Sequence, residues 1–115
     1  MLIGHYEPSL VLLSILVAIF ASYTALSLAL RRVLAERGRP EDRIPACLSC
    51  HEKAAGNPVY PRLSGQSRPY LQQQLELFAG GVRGGTRYSH LMTEAARKLE
   101  EEDIAAAAAY FSQRD

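Results

Sequence analysis

The chain has little of what staples or charges a small domain. It holds only two cysteines among 115 residues, both within positions 47–50. One short loop cannot brace a fold, so a disulfide scaffold is excluded. The formal net charge is +1, which leaves no electrostatic case for nucleic acid. Residues 1–40 carry four Arg against two Glu, and residues 41–115 carry nine Lys and Arg against ten Asp and Glu. The later part is near neutral and does not steer a strongly charged partner. No alternating apolar run suggests strands, so the expected class is all-α.

One long apolar run is present. Between Glu7 and Arg31 lie 23 uncharged residues, PSLVLLSILVAIFASYTALSLAL. As a helix these extend roughly 34 Å, against a bilayer hydrocarbon core of about 30 Å. The run is apolar on every face, which a core helix of a small soluble protein rarely is at this length. A signal peptide normally places cations before a shorter apolar run, whereas here they follow it; Ser27-Leu28-Ala29 has the small-x-small pattern of a cleavage site, a weak signal. A transmembrane helix is the preferred reading. The stretch GHYEPSLVLLSILVAIFASYTALSLALR also resembles the first membrane helix of the MHYT sensor module. That resemblance implies a membrane helix and carries no sensing function. Gly38 and Pro40 in RRVLAERGRPEDR end the helix near Arg37 and predict a short linker over residues 38–44. The positive-inside rule, applied to Arg31, Arg32, Arg37 and Arg39, places whatever follows in the cytoplasm.

The chemistry concentrates at Cys47-Leu48-Ser49-Cys50-His51. A structural zinc site needs four ligands. These residues supply three at most, adjacent Cys50 and His51 converge poorly on one ion, and no second C-x-x-C follows. A thioredoxin-like redox pair needs an α/β context that the pattern lacks. Covalent haem fits: two thiols three residues apart on one helical turn reach the two vinyl groups of one porphyrin edge, and the next residue, His51, offers a nitrogen to the iron. C-x-x-C-H is the c-type haem attachment sequence. For a second axial ligand the residues themselves leave Met92 and His90, two apart and therefore pointing in different directions. A methionine thioether favours ferrous iron and raises the potential; histidine lowers it.

From Pro45 onward the chain resembles a class I c-type cytochrome, particularly single-haem bacterial forms and each half of the two-haem periplasmic ones. The resemblance rests on ACLSCH, YPRLSGQ, YLQQQLELFAGGVR and MTEAARKLEEEDIAAAAAYFS. It implies one haem c bound through Cys47 and Cys50, with His51 and Met92 as iron ligands. It further implies the Pro61 carbonyl behind His51, Leu63 against the porphyrin, and Arg83 near a propionate. Two positions depart from the family pattern: Glu52 stands where a glycine usually follows the histidine, and Glu100 replaces a Ser or Thr cap. Glu is a poorer cap, although the acidic run 100–103 suits a helix N-terminus.

The expected architecture is one transmembrane helix (1–37), a linker (38–44) and a small four-helix cytochrome c domain (45–115). Its helices are expected near 42–50, 67–80, 88–99 and 101–113. Tyr70, Leu71, Gln74, Leu75 and Phe78 should line the inner face of the second, and Ile104, Tyr110 and Phe111 should pack on the first. So small a core needs a staple, which haem supplies. The expected function is outer-sphere electron transfer, not enzymatic catalysis, with no small-molecule substrate. Expected partners are an oxidase, a quinol-oxidising complex or a dehydrogenase. Alternatives are a haem-based redox or gas sensor and a small haem subunit of a larger oxidoreductase. Haem attachment in the family occurs outside the cytoplasm. The expected location is therefore a bacterial cytoplasmic membrane with the haem domain periplasmic, against the arginine signal.

Overall fold

The structure is a computed structural model and describes Gly4, residues 7–52 and residues 57–115. Part of the loop after His51, residues 53–56, lies outside the described residues. Among the described residues five α-helices follow one another: α1 (Pro8–Arg37), α2 (Leu48–His51), α3 (Arg68–Ala79), α4 (Ser89–Ala96) and α5 (Glu101–Ser112). A 3-10 turn at Pro40–Asp42 separates α1 from α2. Among the described residues no strand forms beyond one isolated bridge, Arg39 to Ile44. The all-α class and the long apolar helix ahead of a four-helix domain are as expected.

α1 starts with Pro8 in its first turn and runs 30 residues without an internal glycine or proline. It is long and apolar enough to cross a membrane. Its large side chains from Leu10 to Leu30 stand exposed. Ser14 and Thr24 return their hydroxyls to the helix's own carbonyls, Leu10 O at 2.9 Å and Ala21 O at 2.8 Å, so both are satisfied within the helix.

The last turns of α1 behave differently. Leu34 and Ala35 are buried. Ala35 lies in one cluster with Leu71, Ala108 and Phe111, and Leu34 in another with Ile44 and Ala107. The alanine run of α5 lets α1 approach closely, because small side chains keep two helix axes near each other. α5 therefore packs chiefly against α1 and α3. This corrects the expectation that its inner face meets the first short helix, from which only Cys47 and Leu48 reach the Phe111 cluster, at its margin.

Segment 38–44, expected as a linker, is folded shut. Gly38 ends α1 at φ +68°, and its N–H donates to Leu34 O at 3.0 Å. Arg39 and Ile44 exchange backbone hydrogen bonds of 2.8 and 3.1 Å. Ile44 is 3 % exposed. A Cβ on Gly38 would land on Ile44 O and within 2.6 Å of Ala46 N and Pro45 C, so only glycine fits. The helix expected over 42–50 is reduced to α2 because this turn occupies its first half. The helix expected over 88–99 ends at Ala96, with Leu99 N–H turning back to Ala96 O at 2.9 Å. In α3 Leu71 is buried, Gln74, Leu75 and Phe78 are half-buried, and Tyr70 is exposed.

The cap of α5 answers the missing Ser or Thr. Asp103 accepts from Glu100 N–H at 3.0 Å, and the Glu100 side chain faces the Asp103 backbone in return. This is a capping box built with acids. Asp103 also accepts two bonds from Arg39, at 3.1 and 2.7 Å. Arg39 reaches Asp42 as well, at 2.5 Å. Burial raises the Asp103 carboxyl, but the Arg39 hydrogen bonds and charge, with Glu100 N–H, outweigh it and hold it below its ordinary value. The same fork raises the Arg39 pKa.

Candidate haem site

The site is built on one turn. Cys47 sits at the head of α2 in helical conformation. Cys50 N–H and His51 N–H both donate to Cys47 O, at 3.3 and 3.0 Å. That turn puts Cys47 and Cys50 on the same face, as side chains three apart are. They form no disulfide with each other, and both are half-buried. Burial pushes the Cys47 thiol up to about 11, a value that vanishes once the sulfur becomes a thioether.

His51 is fixed from behind. Its Nδ1 lies 2.9 Å from Pro61 O. A carbonyl only accepts, so Nδ1 carries the proton and Nε2 is the nitrogen left to bind a metal. Tyr60 stands edge-on to the imidazole, ring centroids 6.1 Å apart. The loop that brings Pro61 is held by its other end: Gly65 N–H donates to Phe111 O at 3.1 Å, and Gln66 N–H to Leu63 O at 3.2 Å. Leu63 is half-buried against the Leu71–Phe111 cluster.

α4 carries both distal candidates. Met92 is half-buried, whereas His90 is exposed. Arg83 lies in the loop after α3, where its Nη1 donates to Gln74 Oε1 at 2.6 Å and its guanidinium stacks on Phe78, 4.5 Å from the ring centroid. Beside α4 a cleft of about 480 Å³ is lined by Arg37, Arg43, Ile44, Pro45, Leu91 and Lys98, among others.

Four residues outside the expected site, Arg39, Gln74, Glu100 and Asp103, brace the fold around it. Arg39 counts in the sequence as one more cation after the helix, and nothing in its position signals Asp103, 64 residues on. The Glu100-x-x-Asp103 spacing is a readable capping signal in acidic form. Gln74, expected only as a face residue, is the partner of Arg83.

The residues fit haem c. Two thiols share one turn, the histidine next to them has its tautomer set by a carbonyl, and half-buried Leu63 packs against the same apolar cluster as Cys47. The comparisons agree. The cytochrome c family model matches residues 43–115, and a model described as a bacterial signalling protein N-terminal repeat, MHYT, matches residues 2–38. Cytochrome c-554(548) of Halomonas halodenitrificans is 40 % identical over 77 residues, covering 65 % of this chain and 92 % of that protein. Cytochrome c4 of Azotobacter vinelandii is 41 % identical over 76 residues, 64 % of this chain and 36 % of its own. The chain thus spans little more than a third of the c4 relatives. The crystal structure of reduced cytochrome c4 from Pseudomonas stutzeri superposes with a TM-score of 0.70 at 29 % identity, over 79 % of this chain and 50 % of that one. The chain belongs to the cytochrome c family. Its cofactor is covalent haem c, and the two cysteines of the C-x-x-C-H motif are Cys47 and Cys50.

Proposed function

We propose that the protein is a membrane-anchored, single-haem electron carrier, with the haem domain on the periplasmic side of a bacterial cytoplasmic membrane. The observation that carries this is the His51–Pro61 hydrogen bond, which leaves Nε2 as an axial ligand of set orientation. Met92 Sδ is the second ligand: it is half-buried on α4 while His90 faces solvent. When bound, haem c supplies one-electron oxidation and reduction at iron. His51 and Met92 would hold the iron as its two protein ligands, and the bound group would pass single electrons by outer-sphere transfer. The soft Met92 thioether would favour the reduced state. Leu63 would pack against the porphyrin, and Arg83, oriented by Gln74 and Phe78, would serve a propionate.

The periplasmic side rests on haem attachment, which the family carries out outside the cytoplasm, and it stands against the arginines that follow the helix, Arg31, Arg32, Arg37 and Arg39. Partners are an oxidase, a quinol-oxidising complex or a dehydrogenase. The last is favoured by a relative from Stutzerimonas stutzeri named as a thiosulfate dehydrogenase electron acceptor, 37 % identical over 81 residues. It is also compatible with a small haem subunit of a larger complex.

A pyridine haemochrome with a thioether-shifted band, and a weak far-red band of Met-ligated ferric iron, are the expected spectra. A colourless protein, or pigment released into acidified organic solvent, overturns the reading. A reporter fused after Asp115 should be active only outside the cytoplasm. The match of residues 2–38 to a signalling repeat favours one second reading, a gas sensor in which a small ligand displaces Met92. Carbon monoxide added to the ferrous protein separates the two: a carrier's spectrum stays inert, and a sensor's shifts rapidly.

A further inference from the structure

The joint between the apolar helix and the haem domain contains no hinge. α1 passes from its exposed apolar stretch into the core as one helix, with no glycine or proline between Pro8 and Gly38, the usual places where a helix kinks. Its final seven residues, Arg31–Arg37, rise about 10 Å and carry Leu34 and Ala35 into both core clusters. A swinging tether needs a run of Gly, Ser or Pro. The glycine and proline nearest the joint, Gly38 and Pro40, are locked into the turn that Arg39 ties to Asp103 on α5. The molecule is accordingly long and narrow, 78 Å by 28 by 27 Å.

Resting on the membrane-anchor reading, we propose that α1 is both the membrane span and the first core helix of the haem domain. The porphyrin is then held at one height and one tilt above the bilayer. This restricts electron partners to membrane complexes whose redox centre reaches the same band. A domain on a loose tether would sweep a range of heights and orientations.

The test uses full-length, haem-loaded protein in stacked, oriented phosphatidylcholine bilayers, read by linear dichroism of the porphyrin absorption. The expected result is clear dichroism. A six-residue Gly-Ser insertion between Leu30 and Arg31, outside the core, should abolish it with the visible spectrum unchanged. A four-alanine insertion at the same point adds one helical turn and should preserve it. An isotropic signal from protein that co-sediments with the bilayers overturns this inference and leaves the anchor standing. So does dichroism that survives the Gly-Ser insertion or is lost with the alanine one. Protein that fails to co-sediment overturns the anchor and this inference together. In native membranes the Gly-Ser insertion should slow haem oxidation by the resident membrane partner several-fold, and equal rates overturn the restriction on partners.

Discussion

The two sides of the haem domain are held together differently. On one side α1, α3 and α5 close on each other with protein alone: Leu34, Ala35, Ile44, Leu71, Ile104, Ala107, Ala108, Ala109 and Phe111 are all buried there. On the other, α2 and the described part of the loop to Ser67 contribute no buried residue, and α4 contributes only Ala96. The first side is a helix junction that ordinary packing explains. The second is a rim of half-buried side chains, with Cys47, Cys50, His51, Leu63 and Met92 among them. A rim of this kind buries enough apolar surface only around a prosthetic group.

The largest expected effect breaks the second side and spares the first. Replacing both Cys47 and Cys50 by alanine removes the covalent hold on the haem. Near-UV circular dichroism should lose the share of its aromatic signal that comes from Tyr60 beside His51 and keep that of Tyr110 and Phe111, while far-UV helicity, dominated by α1, α3 and α5, stays mostly intact. An undiminished near-UV signal in the haem-free variant would show that α2 and its loop pack without the porphyrin. Next in size is Gly38→Ala, which strikes the first side. The new Cβ meets backbone atoms at 2.6 Å and the residue keeps φ +68°, so neither side-chain rotation nor small shifts relieve it. A loss of about 3 kcal/mol is expected, read from guanidinium unfolding of the ferric protein in detergent. A loss under about 1 kcal/mol would mean that the turn gives way easily, which also weakens the hinge-free joint.

Asp103→Ala should cost less, about 2 kcal/mol, because it removes one cap acceptor and leaves Arg39 half-paired with Asp42. The variant also changes the response to acid. The folded Asp103 pKa lies below its unfolded value, so its contribution is complete above the unfolded pKa, near 4 for an aspartate. It is lost as pH falls through the lower, folded value. The wild-type denaturation midpoint should therefore drop on acidification below about pH 4, and more steeply than that of the variant. Parallel curves would remove Asp103 from the account of acid stability.

Most of the second side was legible in the residues and most of the first was not, and the reason is physical. Haem attachment needs two thiols and an imidazole at fixed local spacing, so C-x-x-C-H announces itself within five positions. Pro61 became readable only through resemblance, since the bond from His51 crosses a ten-residue loop. The first side depends on contacts between distant segments. Ala35, in the charged stretch RRVLAERG after the apolar run, looks like any other alanine, and only the fold brings it to Ala108. The boundary near Arg37 followed from a change in composition, but the core does not respect that change, because one α-helix can face lipid over one length and protein over the next. Glu100 looked like a defective cap, but its side chain accepts from the Asp103 N–H and Asp103 accepts from the Glu100 N–H in return.

The smallest effect sharpens the comparison between two arginines that look alike in sequence. Arg32 and Arg39 both follow the apolar run, and each contacts an acid. The Arg32–Glu36 pair is an i,i+4 pair on the helix surface at 3.1 Å, with side chains 73 % and 42 % exposed. Exposed pairs of this type contribute no more than about 0.5 kcal/mol, because water and salt screen them. Arg32→Ala should therefore leave the unfolding midpoint almost unchanged, and adding salt should not alter the comparison. Arg39 presents two nitrogens to a carboxylate only 15 % exposed and joins the end of α1 to the start of α5. Arg39→Ala should cost well over 1 kcal/mol, with half-buried Asp103 then left without its counter-charge. Equal, small effects for both arginines would place the strength of the joint in Leu34, Ala35 and the alanine face of α5 alone, and make the ion pair a bystander to it.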